Sequence, residues 1–143
     1  MYNYMLTIQY DGTRYKGWQI QGNTEQTIQG KLEAVISRLV GHHVELHGSG
    51  RTDAGVHALG QVANVKLPDE VDPAVFLEQM NYYLPEDIAV IALAPVPDRF
   101  HARLNATSKT YCYRIWNSSI PNVLERKFLT QFPPPLDIIA MRQ

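Results

Sequence analysis

The sequence predicts an α+β protein. Its first part is a split β-α-β (ferredoxin-like or RRM-like) antiparallel sheet with both helices on one face. The first strand and helix stub of a second similar domain follow. Three observations carry this. Apolar patterns of period two and period 3.6 run in the order strand, helix, strand, strand, helix, strand up to Leu93. Pro95 and Pro97 then read as a linker, after which a new strand pattern begins. The chain has 143 residues, 45% apolar and 19% charged, which is globular composition for one domain or one and part of another. The expected division is residues 1–97 as the first domain and 98–143 as linker and the beginning of the second.

Tyr4, Leu6, Ile8 and Tyr10 alternate with Met5, Thr7 and Gln9, so the chain opens on a strand. Asp11-Gly12-Thr13 ends it. Thr27 can cap a helix whose stripe is Ile28, Leu32, Val35, Ile36 and Leu39, with Gly41 as the stop. Val44, Leu46 and Gly48 form a short strand, and Gln61 to Leu67 another. Asp72-Pro73 places a cap and a first-turn proline at the head of a helix lined by Phe76, Met80 and Tyr83. Leu84-Pro85 closes that helix, and Ile88 to Leu93 is an apolar run of strand length. Thr107 to Trp116 reads as a strand with Tyr113 in the core, and Leu136 to Gln143 as the first turns of a helix.

No run of about 18 apolar residues is present, so no transmembrane helix is expected and no membrane partner. Met1 to Thr7 has neither the basic nor the apolar part of a signal peptide, and a cytoplasmic protein is the expectation. The single Cys112 excludes an internal disulfide framework and a cysteine-based zinc site. His42, His43 and His47 lack an accompanying acid cluster, so no metal site is read there. Net charge is -1, but unevenly spread. Residues 72–98 hold five acids and no Lys or Arg, whereas residues 99–143 hold seven basic side chains against Glu125 and Asp137. That asymmetry fits either one acidic and one basic face or a plain solubility pattern.

Gly48-Ser-Gly-Arg-Thr-Asp-Ala-Gly-Val-His57 is the stretch that points to chemistry. Asp53 sits in a turn flanked by glycines, with Arg51 two residues before it and His57 four after. An aspartic-protease half-site needs a hydroxyl after the Asp, and Ala54 supplies none. The glycine spacing matches neither G-x-x-x-x-G-K-[ST] nor G-x-G-x-x-G. On residues alone, Asp53 is a turn former or a reacting carboxylate.

Gly50-Arg-Thr-Asp-Ala-Gly-Val-His57 resembles the catalytic signature of the TruA family of tRNA pseudouridine synthases. So do Tyr10-Asp-Gly-Thr-Arg-Tyr-Lys-Gly-Trp-Gln19, Gly60-Gln-Val62 and Leu84-Pro-Glu-Asp-Ile88, each in the family's order. Phe100-His-Ala-Arg103, Ala106-Thr107 and Lys109-Thr-Tyr-Cys-Tyr113 resemble its second active-site motif, and Leu136-Asp137 with Met141 the helix start beyond it.

The resemblance implies conversion of uridine to pseudouridine in the tRNA anticodon arm, at tRNA positions 38 to 40, with no cofactor and no metal. By motif match Asp53 is the essential carboxylate, adding to the sugar or acting as a base toward it. A carboxylate can stabilise positive charge developing on ribose, as in glycoside hydrolysis. Arg51 matches the residue that helps extrude the base, with a phosphate contact or surface salt bridge as its plainer roles. Tyr111 matches the tyrosine that packs on the uracil, with a core strand tyrosine as the alternative. Arg14, Lys16, Arg99, His101, Arg103 and Lys109 are candidate contacts to the RNA backbone. Family members are longer and carry, in their second half, a basic partner for the carboxylate. The chain is therefore expected to be an incomplete N-terminal part, inactive alone, with a non-catalytic RNA-binding or interaction module as the alternative. The family acts as a homodimer, and that property stays open here.

Overall fold

Tyr4, Leu6, Ile8 and Tyr10 are all buried, at 0–3% exposure, on one face of strand β1 (Tyr2–Tyr10). The computed structural model describes residues 1–143. Strands β2 (Leu46–Gly48), β3 (Ala58–Leu67) and β4 (Ile88–Val96) complete an antiparallel sheet in the order β2-β3-β1-β4. Helices α1 (Ile28–Val40) and α2 (Pro73–Tyr83) connect them as the split β-α-β reading requires. Ile28, Leu32 and Ile36 of α1 and Phe76 and Met80 of α2 join the buried side of the sheet in one core.

Local chemistry sets the boundaries. The Thr27 hydroxyl accepts from the Gly30 amide at 3.1 Å, and Gly41 closes α1 with a left-handed φ of 83°. Asp72 accepts from the amides of Ala74 and Val75 ahead of Pro73. Glu33 is buried and holds two partners through its Oε2. Its carboxylate accepts from the Leu46 amide at 2.9 Å and from Gln29 Nε2 at 3.0 Å, fastening β2 to α1. Thr27→Ala is expected to lower stability by about 1 kcal/mol, read from the urea midpoint at unchanged slope.

The opposite face of the sheet is partly covered by the chain that follows β4. Asn3 and Asn64 are buried at 3% and 0% exposure. Asn64 donates to Asn3 Oδ1 at 3.1 Å, and Asn3 donates to the carbonyls of Pro97 and Phe100 at 2.9 Å each. Asn64 Oδ1 accepts from the Ala102 amide at 2.9 Å. Two buried amides thus clasp residues 97–102 onto the sheet, with every polar group satisfied.

The chain divides into two units, Met1–Thr107 and Ser108–Gln143. In the second, β5 (Ile115–Trp116) and β6 (Thr130–Gln131) form a two-residue parallel ladder, and α3 (Ile138–Met141) is capped by Asp137. Asn117 donates to the carbonyls of Phe132 and Pro134 at 2.7 Å each, and Arg114 pairs with Glu125 at 2.8 Å. The strand expected over 107–116 has a ladder only at its end, where the Arg114 carbonyl accepts from the Thr130 amide at 2.8 Å and Ile115 and Trp116 pair with β6, because no strand of this chain pairs with 107–113. Tyr113, expected in the core, is 87% exposed, since residues 108–143 contain no buried side chain to pack it against. Tyr83 is also a correction. It is 41% exposed with the Arg38 guanidinium 4.5 Å above its ring, and Leu84 takes the core place beyond Met80.

Candidate active-site loop

The loop joining β2 to β3 is held from below at each end. Ser49 donates its amide to the Val62 carbonyl at 2.8 Å and its hydroxyl to Gln61 Oε1 at 3.0 Å. Gln61 Nε2 donates to the Gly50 carbonyl at 2.7 Å. The Thr52 carbonyl accepts from the Trp18 amide at 3.0 Å, and its hydroxyl shares a 2.8 Å hydrogen bond with Tyr10. Residues 53–56 form a turn closed by the Val56 amide on the Asp53 carbonyl at 3.1 Å. Gly55, the third residue of that turn, has a φ of 80°, which side chains beyond glycine rarely tolerate. Its amide reaches the Tyr15 carbonyl at 3.2 Å.

The partner of this loop is the segment after β1, and that segment is itself fixed. Gly17 and Trp18 lend their carbonyls to the Ile28 and Gln29 amides, so the open end of α1 is closed by the same residues that seat the Asp53 loop. Asp87, ahead of β4, holds the other side. Its backbone carbonyl accepts from the Asp11 amide at 3.0 Å, and its carboxylate accepts from the Tyr15 hydroxyl and from Arg14 Nε at 3.0 Å. Burial, then the Asp87 carboxylate, push the Tyr15 phenol well above its ordinary range. His57 Nδ1 lies 2.9 Å from the Gly12 amide and 3.2 Å from Asp11 Oδ1. A neutral ring accepts from the amide, and a protonated one donates to the carboxylate.

Asp53 stands at the tip of this arrangement, exposed, with no cation of this chain in ion-pair range. Arg51 is equally exposed and makes no ion pair. The two side chains are thus carried by a loop whose backbone is pinned on both sides of them. Lys16 is exposed on the partner segment, whereas Arg14 is committed to Asp87 at 2.9 Å. Arg99, His101 and Arg103 lie on the segment clasped over the sheet. Lys109 and Tyr111 belong to the second unit, where Tyr111 is 64% exposed. The acids of 72–98 do not simply form a face. Asp87 holds Arg14, Asp98 pairs with Lys66 at 3.5 Å, and Asp72 caps α2.

The loop is thus pinned on both sides of one exposed carboxylate that has no partner in this chain. The family model described as tRNA pseudouridine synthase matches residues 6–105. The chain belongs to that family. It is 56% identical over 141 residues to tRNA pseudouridine synthase A of Bacillus sp. strain KSM-64, covering 99% of this chain and 58% of that protein. It is 49% identical over 142 residues to tRNA pseudouridine synthase A 2 of Bacillus cereus strain ATCC 14579, again 99% of this chain and 58% of the relative. With tRNA pseudouridine synthase A of Caldicellulosiruptor saccharolyticus, identity is 43% over 143 residues, all of this chain and 58% of the relative. The chain therefore spans somewhat over half the length of these curated relatives. No helix of the chain is long and apolar enough to cross a membrane.

The motif residues were visible in the sequence, but their supports were not. Tyr10 reads as a core strand residue, yet its hydroxyl also holds Thr52. Gln61 reads as a strand residue, yet it clamps both Ser49 and Gly50. Asp87 was legible only as part of the Leu84–Ile88 block, with nothing to say that it reaches Arg14 and Tyr15 more than seventy residues away.

Proposed function

We propose that the full-length protein carrying this sequence isomerises uridine to pseudouridine in the tRNA anticodon arm, at tRNA positions 38 to 40, with Asp53 as the reacting carboxylate. The observation that supports this is the exposed, unpartnered Asp53 carboxylate on a loop anchored at Ser49, Gly50, Thr52 and Gly55, within the region the family model covers. The reaction breaks the bond from ribose C1′ to uracil N1 and forms one from C1′ to C5. The proton on C5 leaves and N1 gains one, so the product is an isomer. Asp53 serves by adding to the sugar or by acting on it as a base, with Arg51 at the place vacated by the extruded base and Tyr111 stacked on the uracil. No cofactor or metal takes part in this scheme. Arg14, Lys16, Arg99, His101, Arg103 and Lys109 contribute to the electrostatic grip on RNA, Arg14 the least because Asp87 already engages it.

The same geometry supports the reading that the 143-residue chain by itself binds RNA without turning it over. Asp53 has no cation partner within this chain, and residues 108–143 have no buried core of their own. The test uses tRNA labelled with tritium at uridine C5. The full-length protein is expected to release tritium stoichiometrically with pseudouridine, and the 143-residue chain to release none. Absence of release by the full-length protein on any tRNA overturns the proposal.

A further inference from the structure

The segment on which the Asp53 turn rests is held by one acid from a distant part of the chain. Ile88 opens β4 in register with Tyr10, which brings Asp87 beside Asp11. Asp87 then fastens Asp11, Arg14 and Tyr15. Its backbone carbonyl accepts from the Asp11 amide at 3.0 Å. One carboxylate oxygen accepts from the Tyr15 hydroxyl, and the other takes Arg14 Nε and Nη2 at 3.0 and 2.9 Å. We propose that Asp87 is a positioning residue for the Asp53 carboxylate. It acts through Tyr15, whose hydroxyl it holds and whose carbonyl carries the Gly55 amide of the Asp53 turn. The inference rests on the reaction proposed above and adds to it a residue that touches no reacting atom.

Burial sorts the contacts of Asp87 by what each can do. The Tyr15 residue is 4% exposed and the Asp87 side chain 11%, so the hydrogen bond between them is shielded from water and fixes the ring at its far end. The Arg14 side chain is 66% exposed, and its ion pair contributes little by itself. From the fixed ring, the Tyr15 backbone reaches toward the active-site loop. Its amide donates to the Gly12 carbonyl at 3.0 Å, and its carbonyl accepts from the Gly55 amide at 3.2 Å. The contact continues along the same segment. Gly17 has a φ of 103°, and a Cβ on it would stand 2.6 Å from the Thr52 carbonyl oxygen. The turn is therefore seated on residues 12–17 rather than on a strand, and Asp87 is the side chain that ties the Tyr15 part of this seat to the entry of β4. Asp53 has no ion-pair partner in this chain, so its carboxylate is only as well placed as the backbone beneath it.

The experiment pairs amide hydrogen exchange with turnover in the full-length protein. Tyr15→Phe keeps the buried ring and removes the hydroxyl. Asp87→Ala removes the acceptor, while the backbone carbonyl that holds Asp11 remains. Both should speed exchange at the Gly55 amide by about tenfold and leave the amides of β1 and β3 unmoved. Both should also lower kcat for tritium release by about ten- to thirtyfold, with KM for tRNA within about twofold. Combined, the two substitutions should cost no more than the larger one alone, because they break the same hydrogen bond. Asp87→Asn is the rescue. Its amide oxygen still accepts from Tyr15, the exposed Arg14 swings into water, and kcat should return to within about threefold of the unmodified protein. Asp72→Ala, which uncaps α2 next to the Val71 amide held by Tyr4, should lower the melting temperature and leave kcat unchanged. A kcat that tracks melting temperature across all these variants makes Asp87 a stability residue and overturns the proposal. So does Gly55 exchange unchanged in both Tyr15→Phe and Asp87→Ala, or kcat unchanged despite faster exchange. If the unmodified protein releases no tritium on any tRNA, the reaction itself fails and the role of Asp87 in it falls too. Gly55 exchange in the same samples then shows whether Asp87 still seats the turn.

Discussion

Asp53→Ala in the full-length protein is expected to abolish pseudouridine formation while the fold stays intact. The two halves of that expectation have separate physical grounds. The side chain is exposed and makes no hydrogen bond or ion pair, and the turn it sits on is closed by its backbone carbonyl. Truncating such a side chain costs within about 0.5 kcal/mol of stability. In the proposed scheme the carboxylate is irreplaceable, because there it either becomes bonded to the sugar or moves a proton from it. A positioned acid–base group contributes about 10²–10⁴-fold on its own, and a nucleophile more, so a fall of at least about 10³-fold is expected. Asp53→Asn preserves shape and removes the charge, and should fall as far. Tritium release under single-turnover conditions measures the loss, and a thermal melt beside it shows that folding is retained. Residual activity within tenfold of the unmodified protein would remove Asp53 from its role and return it to being a turn former.

The elements of the first unit were legible because their signals are local. Thr27 and Gly41 bracket α1 where the sequence placed them, and Asp72-Pro73 starts α2. Alternation in β1 foretold which face is buried, since side-chain direction in a strand has period two. Where the reading went astray, the cause was a missing neighbour. Residues 107–114 alternate as a strand does, but a ladder needs a second strand, and this chain provides one only to Ile115 and Trp116. Tyr113 has the composition of a core residue and no core to enter. In the candidate site, Asp53 and Arg51 stood out through glycine spacing and motif resemblance. Their supports come from β1, β3 and the turn before β4, and nothing in a linear pattern reveals that Tyr10, Gln61 and Asp87 converge under one loop.

That convergence makes Gly12→Ala the substitution with the widest consequence after Asp53. A Cβ built on Gly12 would stand 2.0 Å from the Val56 carbonyl oxygen and 2.7 Å from its carbon. Both are backbone atoms of the turn that begins at Asp53, so no rotamer change relieves the clash. Gly12 is also buried, with its amide on His57 Nδ1 and its carbonyl accepting from the Tyr15 amide at 3.0 Å, so it cannot retreat without breaking its own bonds. The turn must lift. Overpacking of this kind costs about 1–3 kcal/mol. The catalytic cost is larger in proportion, because a displacement of about 1 Å at a reacting group can lower turnover about 10²-fold. Gly12→Ala should therefore combine a modest drop in the urea midpoint with about a hundredfold loss in kcat, while the affinity for RNA, which the proposed scheme assigns largely to phosphate contacts elsewhere, stays within a few-fold. Gly22→Ala is the matched comparison. A Cβ there meets nothing within 4 Å, and it should leave midpoint and kcat unchanged. Gly12→Ala with unaltered kcat would mean that the docking of the Asp53 turn on the segment after β1 does not set the reacting geometry. The carboxylate would then have to be positioned by the RNA or by the remainder of the full-length protein.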